Sequence, residues 1–383
     1  MQIVHAGFDK LDLSVQANVS PALFAALEAA RDEAEDKRAD VPFSYGGTDF
    51  DILPHGGSGY RFILRMGAAD AHWFIKKPNA KDPWGLRISV GSTMLATQGL
   101  SVVRDHLDKT LARLGILYEP HQISIARADF CVDILAPGFE LSPERFVIHS
   151  HTNRADYHAE PEDKRSNGKS GLYTSVTVGK SPGRQVIIYD KRREVIERKK
   201  PIWWDIWNAN RMRQGQPQLD PEDRSLDLYR IEVRAGKDLL KDRWQIRTWE
   251  QFDAQFGDVV AEAFDKIRYC EPDPTDSNRA RWPLHPIWAL AASICEENLL
   301  GMRTYLDPEH VKYVHREEHM RLILAQIIGN AITLAALDGI QEDGLEDYLG
   351  FTLADRMTNA IRAEPERFGA KLEAAAGRYR FEA

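Results

Sequence analysis

Three short segments of this chain alternate polar and apolar residues with a period of two, and together they demand a sheet with one wet face. In the first, Arg127, Asp129, Cys131 and Asp133 fall on one side and Ala128, Phe130, Val132 and Ile134 on the other, as in a strand whose successive side chains point to opposite faces. In the second, Arg230, Glu232 and Arg234 alternate with Tyr229, Ile231 and Val233. The third, Arg184-Gln-Val-Ile-Ile-Tyr189, ends in Tyr189-Asp190-Lys191-Arg192; as a strand it places the Tyr189 phenol and the Lys191 ammonium on one face. Taken singly, each segment is satisfied by an antiparallel strand with a solvated side, and a Glu between two Arg residues by a surface ion pair. Taken together they supply a nucleophile, carboxylates and cations, which is what metal-assisted phosphoryl transfer needs.

The rest of the chain reads as an α+β fold, a large mostly antiparallel curved sheet flanked by helices, followed by an all-helical C-terminal domain. Leu11-Asp-Leu-Ser-Val15 and Gly59-Tyr-Arg-Phe-Ile-Leu-Arg65 alternate like strands, and Ser20-Pro21 opens a helix with a cap followed by proline. Ser142-Pro143-Glu144 is a second capped start and predicts a short helix running through Ile148. Glu271 to Asn278 has the composition of a linker. The expected division is a catalytic domain over 1–270, a linker over 271–282 and a helical domain over 283–383. Leu322 to Leu337 is too short to span a bilayer, is interrupted by Gln326 and Asn330, and reads as a buried helix. His149, His151 and His158 are a rival metal constellation, set aside because a helix would turn positions two apart in different directions. The glycine clusters at Gly46-Gly47 and Gly56-Gly57-Ser-Gly59 lack a following Lys-Ser or Lys-Thr helix start and read as hairpin turns.

Charge is distributed unevenly. The 383 residues carry a formal net charge of −8, which does not invite a polyanion, since affinity for DNA rests largely on phosphate neutralisation. Yet Lys164 to Arg247 holds about 20 basic against about 11 acidic residues. Acidic stretches lie elsewhere, at Glu28 to Asp40 and Gln341 to Asp347. Cys131, Cys270 and Cys295 are few, odd in number and widely spaced, which favours reduced thiols over a disulfide framework or a zinc site. The start Met1-Gln-Ile-Val-His has no basic region leading into an apolar run, so the expectation is a cytoplasmic protein with no membrane partner.

The order of these pieces resembles the rolling-circle replication initiators of plasmids and phages of the Rep-trans type, with the related relaxases of mobile elements, over roughly residues 85 to 240. The marks are the strand Gly85-Leu-Arg-Ile-Ser-Val-Gly91, a helical stretch to Leu114, Arg127-x-Asp129-x-x-x-Asp133, a short helix, a hairpin at Val176 to Gly183, Ile188-Tyr189-Asp190-Lys191, and Arg230-x-Glu232-x-Arg234. The resemblance implies a DNA nicking and joining enzyme in which Tyr189 attacks a phosphodiester in single-stranded or extruded origin DNA, giving a 5′-phosphotyrosine and a free 3′-hydroxyl. A phenol near pKa 10 needs a neighbouring cation or base, and Lys191 is placed to help. Asp129, Asp133 and Glu232 are the implied ligands of Mg²⁺ or Mn²⁺, which hard oxygen donors suit. Arg127, Arg184, Arg192, Lys199, Lys200, Arg230 and Arg234 are the implied DNA contacts. A second copy of the chain and a host helicase or polymerase are further partners that the resemblance admits. Glu197 to Ser225 departs from the family pattern as an inserted helix and loop; its Trp203 and Trp207 fit either a single-strand clamp or a helix face buried on the sheet. A DNA-binding regulator or accessory factor without chemistry is the alternative function.

Overall fold

The Arg127–Asp133 alternation sits inside a long strand, Ile123–Leu135 (β7), near the middle of an eleven-stranded sheet in the computed structural model, which describes residues 1–66, 71–148, 164–169, 171–302 and 308–379. The other strands of this sheet are β1 (Gln2–Val15), β2 (Val41–Tyr45), β3 (Thr48–Ile52), β4 (Phe62–Arg65), β5 (His72–Ile75), β6 (Leu86–Val90), β9 (Lys164–Lys169), β10 (Leu172–Gly179), β11 (Arg184–Asp190) and β12 (Leu228–Gly236). Their order is β2-β3-β4-β5-β6-β1-β7-β12-β11-β10-β9, with every pairing antiparallel. Two short strands, β8 (Phe146–Ile148) and β13 (Ile267–Tyr269), pair separately. The α+β expectation and the helical C-terminal region are therefore both present.

The apolar side of the alternation is the core. Phe130 of β7 meets Phe8 of β1 edge-on at 5.3 Å, and Phe8 packs on Phe252 and Phe256 of a capped helix, Trp249–Lys266. A helix over Pro21–Lys37, opened by the predicted Ser20 cap, covers the apolar side further along through Phe24 on Phe62. Among the described residues the polar side is covered only in part. There the inserted segment forms the helix Ile202–Arg213, and Trp203, Trp207, Val4, Val195 and Leu228 make a buried cluster. Trp203 and Trp207 are therefore core residues rather than a clamp for bases.

Other expectations change. Ser142-Pro143-Glu144 opens only a single 3₁₀ turn, after which Phe146–Ile148 is strand, held by register with Ile267–Tyr269; the helical ground for setting aside the histidines is thereby removed, and His149, His151 and His158 lie outside the described residues. Residues 271–282 form a built loop: the Trp282 indole donates to the Asp276 carbonyl at 2.9 Å and Arg281 pairs with Asp276 at 2.7 Å. The helix Pro286–Asn298 then packs Trp288 on Phe264 at 4.7 Å, and this first compact unit runs to Thr304. The second unit contains the helices Pro308–Leu337, Ala354–Ala363 and Pro365–Tyr379. Within it Leu322 to Leu337 is not the buried helix expected: Ile323, Leu324, Ile327 and Ile332 are exposed, and Ala331 and Ala335 are buried. Its principal neighbour in contact among the described residues is the short Tyr348–Leu353 segment, too small to cover all of its apolar side chains. No helix among the described residues is long and apolar enough to cross a membrane.

Because Trp203 has no exposed surface, Trp203→Ala is expected to lower stability by about 3–5 kcal/mol. Chemical denaturation measures this directly; a loss below about 1 kcal/mol would remove the residue from the core.

Candidate active site

Cross-strand register places the predicted residues in rows on one face. Asp133 (β7) lies opposite Arg230 (β12), which lies opposite Tyr189 (β11). One pleat along, Cys131 opposes Glu232, which opposes Ile187; one further, Asp129 opposes Arg234, which opposes Gln185. The β1 neighbour adds residues that the three-segment reading did not include. Register shifts of β1 against β7 fall between Ile3 and His5 and between Phe8 and Lys10, and such bulges re-aim side chains. Phe8 stays with the core while Asp9 reaches Arg230 and Lys10 stands opposite Asp129. The alternation of Leu11-Asp-Leu-Ser-Val15 marks only the downstream end of this strand; the bulge at Asp9 breaks the pattern upstream.

The Asp133 row is a closed network. Arg230 has no exposed surface; its Nε and Nη2 donate to Asp133 at 2.5 and 2.8 Å, and its Nη1 donates to Asp9. The Trp207 indole donates to Asp133 at 2.8 Å, and the Arg230 guanidinium lies 4.2 Å from the Trp203 ring centre. Burial opposes ionisation of Asp133, but the charge and hydrogen bonds of Arg230 outweigh it and hold the carboxyl below its ordinary value. Asp133 is thus taken up as the counter-ion of Arg230, and Arg230 has no exposed surface to offer a phosphate.

Tyr189 is half-buried at the edge of this network. Among the described residues its hydroxyl takes no hydrogen bond, while burial, opposed by the Arg230 charge, pushes its pKa well above the ordinary value. Lys191 is not on the strand: Asp190 caps a helix, Lys191–Glu197, through the Arg193 N–H at 2.9 Å, and Lys191 is its first residue. The buried ammonium still lies 5.7 Å from the Tyr189 ring centre and 4.5 Å from that of Trp203, and it donates to Glu194 at 2.7 Å. Burial and then Arg230 lower its pKa.

The Asp129 row is built differently. Arg127 donates to both Asp129 oxygens, at 3.0 Å from Nε and 2.5 Å from Nη2. Arg234 Nε lies 2.6 Å from Glu232 and 3.8 Å from Asp129, so the two buried carboxylates flank one guanidinium. Burial raises the Asp129 pKa to about 7, with the charge of Glu232 adding to the rise and the Arg127 hydrogen bonds opposing it. A pair of hard oxygen donors with unfavourable mutual charge fits a divalent ion that completes its shell with water and phosphate. Among the described residues no cluster of three or more His, Cys, Asp or Glu is placed to hold a metal.

The remaining predicted cations scatter. Arg184 lies on the opposite face, paired with Glu262 of the Trp249–Lys266 helix at 3.5 Å. Arg192 donates to the Pro221 carbonyl at 3.2 Å. Lys199 and Lys200 are exposed in the turn before Ile202, with Lys200 3.0 Å from Glu194.

Linkage makes the Asp129 row testable. A carboxyl whose folded pKa lies above its unfolded value binds more protons in the folded state, so stability falls as pH rises from about 4 to about 7. His5, lowered to about 4 by burial, works the other way below its ordinary value of 6.5. Above 6.5 the Asp129 contribution is uncompensated by His5. The melting temperature is expected to fall between about pH 6.5 and 8, and Asp129→Asn should flatten that fall; an unchanged slope in the variant would contradict the raised pKa.

No protein-family model matches the chain, and no curated protein matches it. A solved structure, that of a rolling circle replication initiator protein from Geobacillus stearothermophilus, is similar to it, with 18% sequence identity, 78% of this chain and 98% of that chain covered, and a TM-score of 0.41.

Proposed function

We propose that this chain is a tyrosine-dependent DNA nicking and joining enzyme that initiates replication or transfer of a mobile element. The observation that carries the reading is a phenol, Tyr189, that has no hydrogen-bond partner among the described residues and lies on the same face of three adjacent strands as the buried carboxylates Asp129 and Glu232. The Tyr189 oxygen attacks phosphorus, a new O–P bond forms as the P–O3′ bond breaks, and the phenolic proton ends on the departing 3′-oxygen. One phosphodiester replaces another, so the step is reversible and the 5′-phosphotyrosine retains the capacity to rejoin. In the resting protein the phenol is protonated, because burial outweighs the Arg230 charge. Lys191, with its lowered pKa and its ammonium 5.7 Å from the ring centre, is the group we assign to receive or return that proton. Asp129 and Glu232 would hold Mg²⁺ or Mn²⁺, which when bound supplies Lewis-acid polarisation of the phosphate. Arg234 and Arg127 orient those carboxylates. The buried thiols of Cys131, Cys270 and Cys295, none in a disulfide, suit a cytoplasmic setting.

The second reading, a DNA-binding regulator or accessory factor without chemistry, draws on the arginine partner that each carboxylate already has. Incubation with labelled single-stranded oligonucleotides and Mn²⁺, followed by a denaturing gel, separates the two. The enzyme leaves a covalent adduct; the regulator binds and leaves none.

Tyr189→Phe is expected to abolish the adduct while leaving affinity for the oligonucleotide within about twofold, since only the nucleophilic oxygen is lost. Persistence of the adduct would move the nucleophile elsewhere, with exposed Tyr173 the next to test. Glu232→Gln should lower nicking by about 10²-fold or more, with partial recovery at higher Mn²⁺; loss without recovery would argue against ligation by this residue.

A further inference from the structure

The polar face continues past the candidate site onto β1, β6, β5 and β4, and there it carries cations that strand transfer does not use. Asp12 opposes Arg127 on one side and Ser89 on the other; Ser89 opposes His72, and Arg87 opposes Phe74. Lys10 donates to the Ser89 hydroxyl at 2.7 Å, and Arg87 and Ser89 both donate to Asp12, at 3.1 and 2.6 Å. The charges are layered. Side-chain exposure is 36% for Arg127 against 1% for Asp129, 32% for Arg234 against 1% for Glu232, and 32% for Arg87 and 28% for Lys10 against 9% for Asp12. The carboxylates lie beneath and the cations reach solvent, so this face of an acidic protein is electropositive. Arg65 and Lys10 also hold the His72 pKa down, after burial, consistent with that field.

Aromatic side chains accompany the cations. The Arg87 guanidinium lies 5.3 Å from the Phe74 ring centre, Phe74 meets Tyr60 at 5.9 Å, and the Lys76 ammonium lies 4.6 Å from the Tyr60 ring centre. Cations tracking a backbone beside aromatic and guanidinium planes are the physical basis of single-strand binding. The band has an end. Beyond Arg65 of β4, the next strand presents the exposed carboxylates Asp51 and Asp49. From β12 to β5 there are four strand spacings of ~4.8 Å, about 19 Å in all, room for about four nucleotides of an extended strand.

We propose that this band, from Arg234 and Arg127 through Lys10 and Arg87 to Phe74 and Tyr60, is the track that seats the single strand whose phosphodiester is presented to Tyr189. It deepens the strand-transfer reading and rests on it for the destination of the strand; the binding itself stands on the layered charges. A regular duplex offers its phosphates to Arg87 and Lys76 but buries the base faces that Phe74 and Tyr60 would stack on, so the track favours single strands.

Fluorescence anisotropy with a labelled oligothymidylate of about twenty nucleotides and a hairpin duplex, read between about 50 and 200 mM salt, tests it on the full chain. Lys10→Ala/Arg87→Ala is expected to weaken single-strand binding about tenfold and to lower the log–log salt slope by about 1.4, two contacts at ~0.7 each. Asp51→Lys, a surface change that extends the band by one strand, should tighten binding about threefold and raise the slope by ~0.7. If melting shows the double variant unfolded, Asp51→Lys decides alone. Unchanged affinity and slope in the folded variants, or a wild-type preference for duplex, overturns the track. The adduct assay is independent: an adduct with unaltered variant binding sinks the track and spares strand transfer, whereas altered variant binding with no adduct does the reverse.

Discussion

A guanidinium without exposed surface, Arg230, is held by Asp133 and Asp9 and lies against the ring of Trp203, and much of the sheet's polar face is arranged around it. An unpaired buried charge costs many kcal/mol, and removing one partner of a buried pair typically costs ~3–5. The chain therefore has to deliver a carboxylate from β7, another from a bulge in β1 and an indole from an inserted helix to the same point. Each comes from a different part of the sequence, and each ties its element to the others. The field of Arg230 then extends outward: it lowers the pKa values of Tyr189, Lys191 and His5 relative to what burial and the nearby carboxylates would otherwise give.

This network divides the polar face in two. The Asp133 end is sealed by Trp203 and Trp207, and its ionic groups satisfy one another. Among the described residues the Asp129 end is capped by its own arginines, and there burial raises a carboxyl pKa to about 7. Groups poised in that way are concentrated at functional sites because their protonation can be changed by a ligand. Tyr189 lies at the boundary: its ring faces the sealed half through Lys191, and Glu232, diagonal to it across β11 and β12, belongs to the open half.

The strands were legible because alternation is a local signal. Phe130, Val132 and Ile134 had to face a core, which left Asp129, Cys131 and Asp133 together on the other side, and antiparallel pairing with β12 brought Arg230, Glu232 and Arg234 to meet them. What could not be read depends on contacts distant in sequence. Lys191 looked like a strand residue until the Asp190 side chain, capping the next turn, converted it to the first residue of a helix. Asp133 and Asp129 share a motif and have opposite fates, decided chiefly by an arginine 97 residues from Asp133. Phe146 to Ile148 reads as helix from Ser142-Pro143 and is strand because Ile267 to Tyr269 pairs with it. The bulge at Asp9 inserts one residue in a 14-residue strand and has no signature in composition.

The acidic balance of the chain loses its force as an objection to a nucleic-acid partner once depth is considered. Formal charge counts Asp12, Asp129, Asp133 and Glu232 equally with surface carboxylates, yet Asp133 is neutralised by the equally buried Arg230, and the other three lie beneath the more exposed Lys10, Arg87, Arg127 and Arg234. A ligand approaching the face meets the cations first, at a shorter distance and in a medium where the buried anions act mainly by holding those cations in place. The same carboxylates that make the sum negative thus orient the positive groups, and removing them would leave the arginines more mobile and the face less able to position a phosphate.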